Sequence, residues 1–124
     1  MIAGVGIDII EVERIATNIT MESGFRDLVF SQREISYCET KTNKFQHYAA
    51  RFAAKEAFFK AIGTGWTEGT SFNEVEITND NTGKPELNLL GPTREALASM
   101  AFRKILVSLT HVKAMASAIV IIEK

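Results

Sequence analysis

The feature that most constrains this chain is a long helix predicted over residues 44–62. The stretch is rich in alanine, which has the highest helix propensity, and it is followed by Gly63, a typical helix C-cap. Its large apolar side chains fall on one stripe of the helical wheel: Phe45, Tyr48, Phe52, Phe59 and Ile62. We expect the rest of the chain to cover this stripe.

Strand and short-helix patterns occupy the remainder of the sequence. Strands are predicted over residues 1–10, Phe72–Thr78, Glu86–Leu90, Ile105–Thr110 and Met115–Glu123. Short helices are predicted over residues 11–20, within 24–40, and from Gly91 to Phe102. Because the connections within strand pairs are too short for parallel crossovers, we predict one α+β domain, residues 1–124, with a mainly antiparallel sheet packed against the long helix.

Composition and charge exclude several classes of protein. The chain is 46% hydrophobic and 23% charged, with a net charge of −1, which is typical of a globular protein that does not bind nucleic acid. Neither a signal peptide nor a membrane span is expected, because the N-terminus lacks a basic region and the most apolar window, residues 116–122, is short. The single cysteine, Cys38, is interpreted as an incidental thiol and fits a reducing cytoplasm.

Asp8 is the first candidate site residue. The predicted first strand has Val5, Ile7 and Ile9 on one face and Gly4, Gly6, Asp8 and Ile10 on the other. Glycine in a strand often marks the close approach of a ligand or another backbone. A carboxylate beside two absent side chains therefore leaves room for a metal or a phosphate group. The alternative is a solvated aspartate on an exposed strand face.

Glu56 is the second candidate, at the edge of the apolar stripe of the long helix. It lies about 40° from Phe52 on the helical wheel, and an ionised group near a core needs a partner or a metal. The simplest partner is Lys60, four residues later. Alternatively, one aspartate and one glutamate, Asp8 and Glu56, are the minimum protein ligation for Mg²⁺.

One segment of the chain is cationic, although the net charge of the whole chain is close to zero. Residues 41–60 contain five basic residues against one acid, Glu56, and the turn Gly63-Thr64-Gly65 follows them. Glycines allow backbone N–H groups to approach an anion, although a solvated basic face with a C-cap has the same pattern. Trp66, next in the chain, can stack on a base or pack against the protein.

Four segments, taken in order, resemble the motifs of one enzyme family. They are residues 4–15 (GVGIDIIEVERI), 51–65 (RFAAKEAFFKAIGTG), 81–85 (NTGKP) and 108–111 (SLTH). The second matches almost residue for residue, whereas the third has Thr82 inserted before the glycine. The family is that of the holo-[acyl-carrier-protein] synthases, the small, single-domain type of 4′-phosphopantetheinyl transferase.

The resemblance implies a fold, a reaction and partners. The family has the 4′-phosphopantetheinyl transferase fold and moves 4′-phosphopantetheine from coenzyme A to a serine of apo acyl carrier protein. The reaction requires Mg²⁺, releases adenosine 3′,5′-bisphosphate and belongs to cytoplasmic fatty acid biosynthesis. Members of this small type are homotrimers with three interfacial sites, and no nucleic-acid or membrane partner is expected.

The same resemblance implies the role of each site residue. Asp8 and Glu56 would bind Mg²⁺ and Lys60 would contact the pyrophosphate, so these three are the predicted catalytic residues. The remaining phosphate and the adenosine would be held by Arg51, Gly63, Thr64, Gly65, Lys84, Pro85 and His111. Arg14 would meet the acidic carrier protein. The base for the serine proton stays open between Glu56, a metal-bound water and a water ordered by the carrier.

Three other functions compete with this one. They are the same reaction on another carrier, such as a polyketide or peptide synthetase domain, a non-catalytic coenzyme A- or nucleotide-binding module, and a structural oligomer without a ligand. The combination of Asp8, Glu56 and Lys60 argues against the second. The third leaves the face of Gly4, Gly6 and Asp8 unexplained.

Overall fold

The computed structural model describes residues 1–65 and 68–124, so both interpretations of Trp66 lie outside the described residues. The strands of the described part are β1 (Ile2–Glu11), β2 (Val75–Asn79), β3 (Pro85–Leu89), β4 (Lys104–His111) and β5 (Met115–Glu123). Its helices are α1 (Val12–Thr20), α2 (Phe25–Val29), α3 (Gln32–Glu39), α4 (Lys44–Ile62) and α5 (Gly91–Ala96). Short 3₁₀ turns occupy Phe72–Glu74 and Ala98–Met100.

The strands form two antiparallel sheets. β5 lies at the centre of a three-stranded sheet in the order β1-β5-β4, and β2 pairs with β3 as a separate hairpin. Burial alternates along β5, whose buried residues are Ala116, Ala118, Val120 and Ile122. The predicted α+β class with a mainly antiparallel sheet against a long helix is therefore confirmed.

The long helix α4 has the predicted bounds, but its burial extends well beyond the predicted stripe. It contacts β1, β5, β4, α1, α3 and β2. All six of its alanines are buried: Ala49, Ala50, Ala53, Ala54, Ala57 and Ala61. Because a methyl group lets neighbouring elements approach closely, α4 is enclosed on several sides and is the centre of the fold. No helix in residues 1–65 or 68–124 is long and apolar enough to cross a membrane.

Gly4 and Gly6 serve the packing of β1 on α4. A Cβ atom on Gly6 would overlap the carbonyl oxygen of Ala57 and lie 2.7 Å from the nitrogen of Ala61, and a Cβ on Gly4 would overlap the carbonyl oxygen of Ala61. The missing side chains therefore make room for the helix backbone. The prediction that they leave room for a metal or a phosphate beside Asp8 is wrong.

A buried lysine fixes the entrance of the β2–β3 hairpin. Lys55 Nζ donates hydrogen bonds to the carbonyl oxygens of Phe72 (2.9 Å) and Val75 (2.6 Å), and it pairs with Glu34 at 2.8 Å. Because these carbonyls turn toward the lysine, Phe72–Glu74 forms a 3₁₀ turn and β2 begins three residues later than predicted. The three acceptors satisfy a charge that would otherwise be costly to bury.

The helix that begins at Gly91 is shorter than predicted. It ends at Ala96, and a 3₁₀ turn replaces the stretch expected to reach Phe102. Ala101 follows that turn at φ +53°, a left-handed conformation that ends the helical path. The other predicted bounds agree with the structure to within one residue.

Candidate active site

The middle of β1 lies against the second half of α4 and brings the predicted catalytic residues together. Lys60 Nζ lies 2.9 Å from Asp8 Oδ1 and also donates to the carbonyl oxygen of Ile7 at 3.1 Å. Glu56 precedes Lys60 by about one helical turn and therefore lies on the same side of α4. The Asp8 side chain is 16% exposed and that of Lys60 is 54% exposed, so the group opens to solvent.

The electrostatics of this group centre on Glu56. Burial raises the pKa of the Glu56 carboxyl, the charge of Asp8 raises it further, and Lys60 and Arg14 act in the opposite direction. A hydrogen bond to Asp8 is the main reason that the pKa of Lys60 is raised. The ion pair formed here is therefore Lys60–Asp8 rather than the simple Glu56–Lys60 pair of the alternative interpretation.

Asp8 and Glu56 fit Mg²⁺ as a pair. Two neighbouring carboxylates resist simultaneous ionisation, and a divalent cation relieves that repulsion. In residues 1–65 and 68–124, no three acidic, histidine or cysteine side chains form a metal cluster. Mg²⁺ does not require one, because it is usually bound through one or two carboxylates together with waters and substrate phosphates.

Arg51, predicted to hold phosphate or adenosine, is a buried cation. It is 2% exposed, its Nη2 donates to Asn79 Oδ1 at 2.7 Å, and its guanidinium carbon lies 4.3 Å from the centre of the Tyr37 ring. Within the described ranges, its buried Nε has no hydrogen-bond partner and no carboxylate pairs with it. A buried cation without a counter-ion is suited to binding an anion.

A pocket of about 460 Å³ lies beside Arg51. Its lining residues are Arg33, Tyr37, Arg51, Ile77, Thr78, Asn79, Asp80, Asn81 and Gly83. The pocket therefore joins Arg51 to the loop that follows β2. A larger groove of about 730 Å³, between β3, α5 and residues 101–105, contains none of the predicted site residues.

Asp80 fixes the loop that carries Lys84 and Pro85. Its Oδ1 accepts hydrogen bonds from the Thr82 nitrogen (2.8 Å), the Thr82 hydroxyl (2.6 Å) and the Lys84 nitrogen (3.0 Å). The bonds from Thr82 are the main reason that the pKa of Asp80 is lowered. Thr82, the residue that departs from the family pattern, thus helps to hold the loop, and Pro85 then begins β3 opposite Asn79.

His111 ends β4 and meets the first turns of α4. Its Nδ1 lies 2.8 Å from Gln46 Oε1, and its ring centre is 5.1 Å from that of His47. The His47 ring is in turn 5.7 Å from Tyr37, which contacts Arg51. The structure therefore links the predicted residues Arg51 and His111 through two side chains that sequence reasoning missed, Tyr37 and His47.

The turn after α4 contains the predicted residues Gly63, Thr64 and Gly65. Gly63 caps the helix at φ +85° and donates its N–H to the carbonyl oxygen of Lys60, and Gly65 has φ +63°. The Thr64 hydroxyl donates to the carbonyl oxygen of Gly65 at 3.2 Å. The turn therefore begins directly after α4, three residues after Lys60.

The predicted site residues lie on two sides of α4. Lys60 follows Arg51 by nine residues, which places it about 180° around the helix and about 13 Å along it. β1 contributes Asp8 on the Lys60 side, whereas α3 and β2 contribute Tyr37 and Asn79 on the Arg51 side. One chain therefore does not bring Arg51 to the group formed by Asp8 and Lys60.

Two further residues were singled out by the sequence. Arg14 is exposed on α1 and lies close enough to Glu56 to affect the pKa of that carboxyl. Cys38 is fully buried, and burial raises the pKa of its thiol to about 12. The thiol is therefore protonated at neutral pH, which agrees with its interpretation as incidental.

Comparison with known proteins relates the whole chain to one family. The family model described as the 4′-phosphopantetheinyl transferase superfamily matches residues 4–110. A holo-[acyl-carrier-protein] synthase of Geotalea daltonii is 43% identical over 125 residues, which cover all of both chains. The match includes every motif that carried the resemblance, except that the family model stops one residue before His111.

Solved structures have the same fold. The crystal structure of holo-[acyl-carrier-protein] synthase from Neisseria meningitidis has a TM-score of 0.90 and 31% identity, with both chains fully covered. The holo-(acyl-carrier-protein) synthase from Bacillus anthracis in complex with CoA (3′,5′-ADP) has a TM-score of 0.82 and 33% identity over all of this chain and 98% of that one. The chain therefore belongs to the 4′-phosphopantetheinyl transferase superfamily and is a phosphopantetheinyl transferase related to the holo-[acyl-carrier-protein] synthases.

Proposed function

We propose that this chain transfers 4′-phosphopantetheine from coenzyme A to a serine of apo acyl carrier protein, with Mg²⁺, and releases adenosine 3′,5′-bisphosphate. The observation that carries this proposal is the group formed by Asp8, Glu56 and Lys60 where β1 packs on α4. The names of the relatives support the acceptor, and the CoA in the Bacillus anthracis complex supports the donor. The assignment to cytoplasmic fatty acid biosynthesis rests on the family resemblance alone.

The reaction is a displacement at phosphorus, which is catalysed mainly by positioning and charge neutralisation. The serine oxygen forms a bond to the phosphorus of the phosphopantetheine group. The bond from that phosphorus to the bridging oxygen of the pyrophosphate breaks, and the bridging oxygen leaves with adenosine 3′,5′-bisphosphate. The serine proton passes to a base, and the candidates for that role are Glu56 and an ordered water.

Asp8 and Glu56 are the residues that would hold Mg²⁺. Bound there, Mg²⁺ would supply the charge withdrawal that stabilises the departing phosphate. Lys60 adds a positive charge at the same place, since its ammonium lies 2.9 Å from Asp8 Oδ1. These residues are close together because α4 and β1 are in backbone contact.

Arg51 and His111 would bind the adenosine side of coenzyme A. Arg51 is a buried cation that lines a pocket with Asn81 and Gly83, and Lys84 and Pro85 follow in the same loop. The pocket size suits a phosphorylated nucleoside, and the arginine supplies the charge that its phosphate needs. The turn of residues 63–65, with two left-handed glycines, would let the backbone approach the ligand closely after α4.

A homotrimer would complete each site from two protomers. Lys60 and Arg51 are on opposite sides of α4. A ligand that contacts both must therefore reach Lys60 of one protomer and Arg51 of another. The outer face of β1 supports such an assembly, because Val5, Ile7 and Ile9 are 56%, 63% and 64% exposed in one row. Exposed apolar rows of this kind are typical of protein–protein contacts.

Light scattering should give a mass three times the 13.7 kDa of one chain. Ile7→Asp should shift the mass toward one chain and remove most transfer activity, because it places a charge in the centre of the apolar row. Val112→Asp is the matched control, since Val112 is also exposed but lies at the tip of the β4–β5 hairpin. A monomer with full transfer activity would contradict the shared site.

Arg14 would contact the carrier protein. It is exposed on α1, and its charge opposes the rise in the pKa of Glu56, so it lies on the same side of the fold as the reacting group. A cation at the edge of the site is complementary to an acidic carrier and would guide its serine toward Asp8 and Glu56.

The transfer itself is tested by mass spectrometry. Incubation of the chain with coenzyme A, Mg²⁺ and apo acyl carrier protein should add the mass of one phosphopantetheine to the carrier, and a chelator should prevent it. Absence of the shift with a folded protein would contradict the proposal. A shift confined to a carrier domain of a polyketide or peptide synthetase would support the same chemistry on another substrate.

A further inference from the structure

The contact between β4 and the start of α4 determines how the His111 ring is held. His111 Nδ1 lies 2.8 Å from Gln46 Oε1, and Asn43 Nδ2 approaches the same oxygen at 3.4 Å. An amide oxygen only accepts hydrogen bonds, so the Nδ1 of His111 must carry a proton. In the neutral ring Nε2 is then unprotonated and accepts a hydrogen bond.

The surroundings of the His47 ring favour its neutral form. The pKa of His47 is lowered by burial first, and then by the charges of His111, Arg51 and Lys41. In the part of the chain that the structure describes, no carboxylate lies within 4 Å of a ring nitrogen of either histidine. The centres of the two rings are 5.1 Å apart, so a charge on His47 would lie beside the His111 ring without a carboxylate to balance it, and His47 stays neutral.

His47 also limits the orientation of the His111 ring. The rings of His47 and His111 meet edge to face at 62°, and the ring of Tyr37 meets that of His47 in the same manner at 75°. Tyr37 is fixed in turn by the guanidinium of Arg51 at 4.3 Å and the ammonium of Lys41 at 4.7 Å from its ring centre. Edge-to-face contacts of this kind restrict ring rotation.

We propose that Gln46 and His47 are positioning residues for His111. Gln46 holds the Nδ1 proton and thereby makes Nε2 the ligand-facing nitrogen, and His47 keeps the ring in its plane as a neutral support. The ligand is the adenosine side of coenzyme A, so the inference rests on the proposed function. Neither residue lies in the segments that carry the family resemblance.

The first test measures the His111 tautomer in the protein without ligand. Long-range ¹⁵N–¹H NMR correlation spectra should show the Nδ1–H form of His111 in the wild-type chain. Gln46→Leu removes the acceptor and should abolish that preference, whereas Gln46→Glu keeps an acceptor and should restore it. An Nδ1–H form that persists in Gln46→Leu would overturn the assignment.

The second test measures steady-state kinetics with coenzyme A and apo acyl carrier protein. Gln46→Leu should raise KM for coenzyme A about five-fold, the scale of one misplaced hydrogen bond, and leave kcat nearly unchanged. His47→Phe keeps an aromatic ring and should retain the wild-type KM, whereas His47→Ala should raise it several-fold. Gln32→Leu, at an exposed glutamine of α3, is the control.

The two tests separate this inference from the proposed function. Loss of the tautomer preference without a change in KM would show that the orientation does not serve the substrate, and it would overturn the inference. Equal effects of His47→Phe and His47→Ala would overturn the role of the ring contact. A wild-type chain without transfer activity would instead contradict the proposed function, and the NMR result would still report on Gln46 and His111.

Discussion

Replacing Glu56 or Asp8 with alanine should lower phosphopantetheine transfer about 1000-fold or more, which corresponds to about 4 kcal/mol of transition-state stabilisation. Each variant removes one of the two carboxylates assigned to Mg²⁺, and Asp8→Ala also removes the partner of Lys60. The loss of activity is measured by following transfer rates with mass spectrometry over a range of Mg²⁺ concentrations. Calorimetry should show that both variants also lose Mg²⁺ binding.

The fold should survive both changes. Asp8 and Glu56 are both partly buried, and neither contributes to the apolar core. Circular dichroism and melting temperatures near the wild-type values are therefore expected. Glu95→Ala removes an exposed carboxylate from α5 and should leave the rate unchanged. Wild-type transfer rates in Asp8→Ala and Glu56→Ala would contradict the assignment of these two residues to Mg²⁺.

The long helix shows what the sequence can and cannot predict. Its bounds followed from alanine propensity and from Gly63, both of which act locally. Its burial on several sides did not follow, because a helical wheel weighs the large apolar residues and gives little weight to alanine. In the structure, the alanines determine the architecture, since they let strands and helices approach the backbone of α4 from different directions.

The candidate site, like the long helix, was predictable from the sequence only in part. Asp8, Glu56 and Lys60 were assigned by resemblance, and spacing alone left each with a simple structural alternative. What the sequence could not give is the pairing of Lys60 with Asp8, 52 residues earlier, because it depends on how closely β1 packs on α4. The Gln46–His111 contact is of the same kind, since it joins residues 65 positions apart without a local signal.

The two glycines of β1 had a visible signal that did not identify the neighbour. Glycine in a strand predicts a close approach, but the sequence does not say whether a ligand or a backbone approaches. Both glycines meet the carbonyl oxygens of α4, and Asp8 gains its place in the site through that contact. Packing and catalysis therefore depend on the same short segment of β1.

Gly6→Val should prevent the chain from folding. A Cβ atom at this position would overlap the carbonyl oxygen of Ala57 and lie 2.7 Å from the nitrogen of Ala61, and helix backbone cannot move aside as a side chain can. Even Gly6→Ala should cost about 3 kcal/mol or more, a large share of the ~5–15 kcal/mol that stabilises a domain. Urea unfolding followed by circular dichroism measures both effects.

Ala3→Val is the matched control for Gly6→Val, because it adds two methyl groups to an exposed position of the same strand and should leave stability nearly unchanged. Gly4→Ala should cost less than Gly6→Ala, since it meets Ala61 in the last turn of α4, where fewer contacts must move. In Gly6→Ala, any molecules that fold should also lose transfer activity, because β1 can accept the methyl group only by moving Asp8 away from Lys60. A Gly6→Ala variant with wild-type stability and activity would mean that β1 and α4 are not in backbone contact, and the arrangement of the catalytic group would then need a different cause.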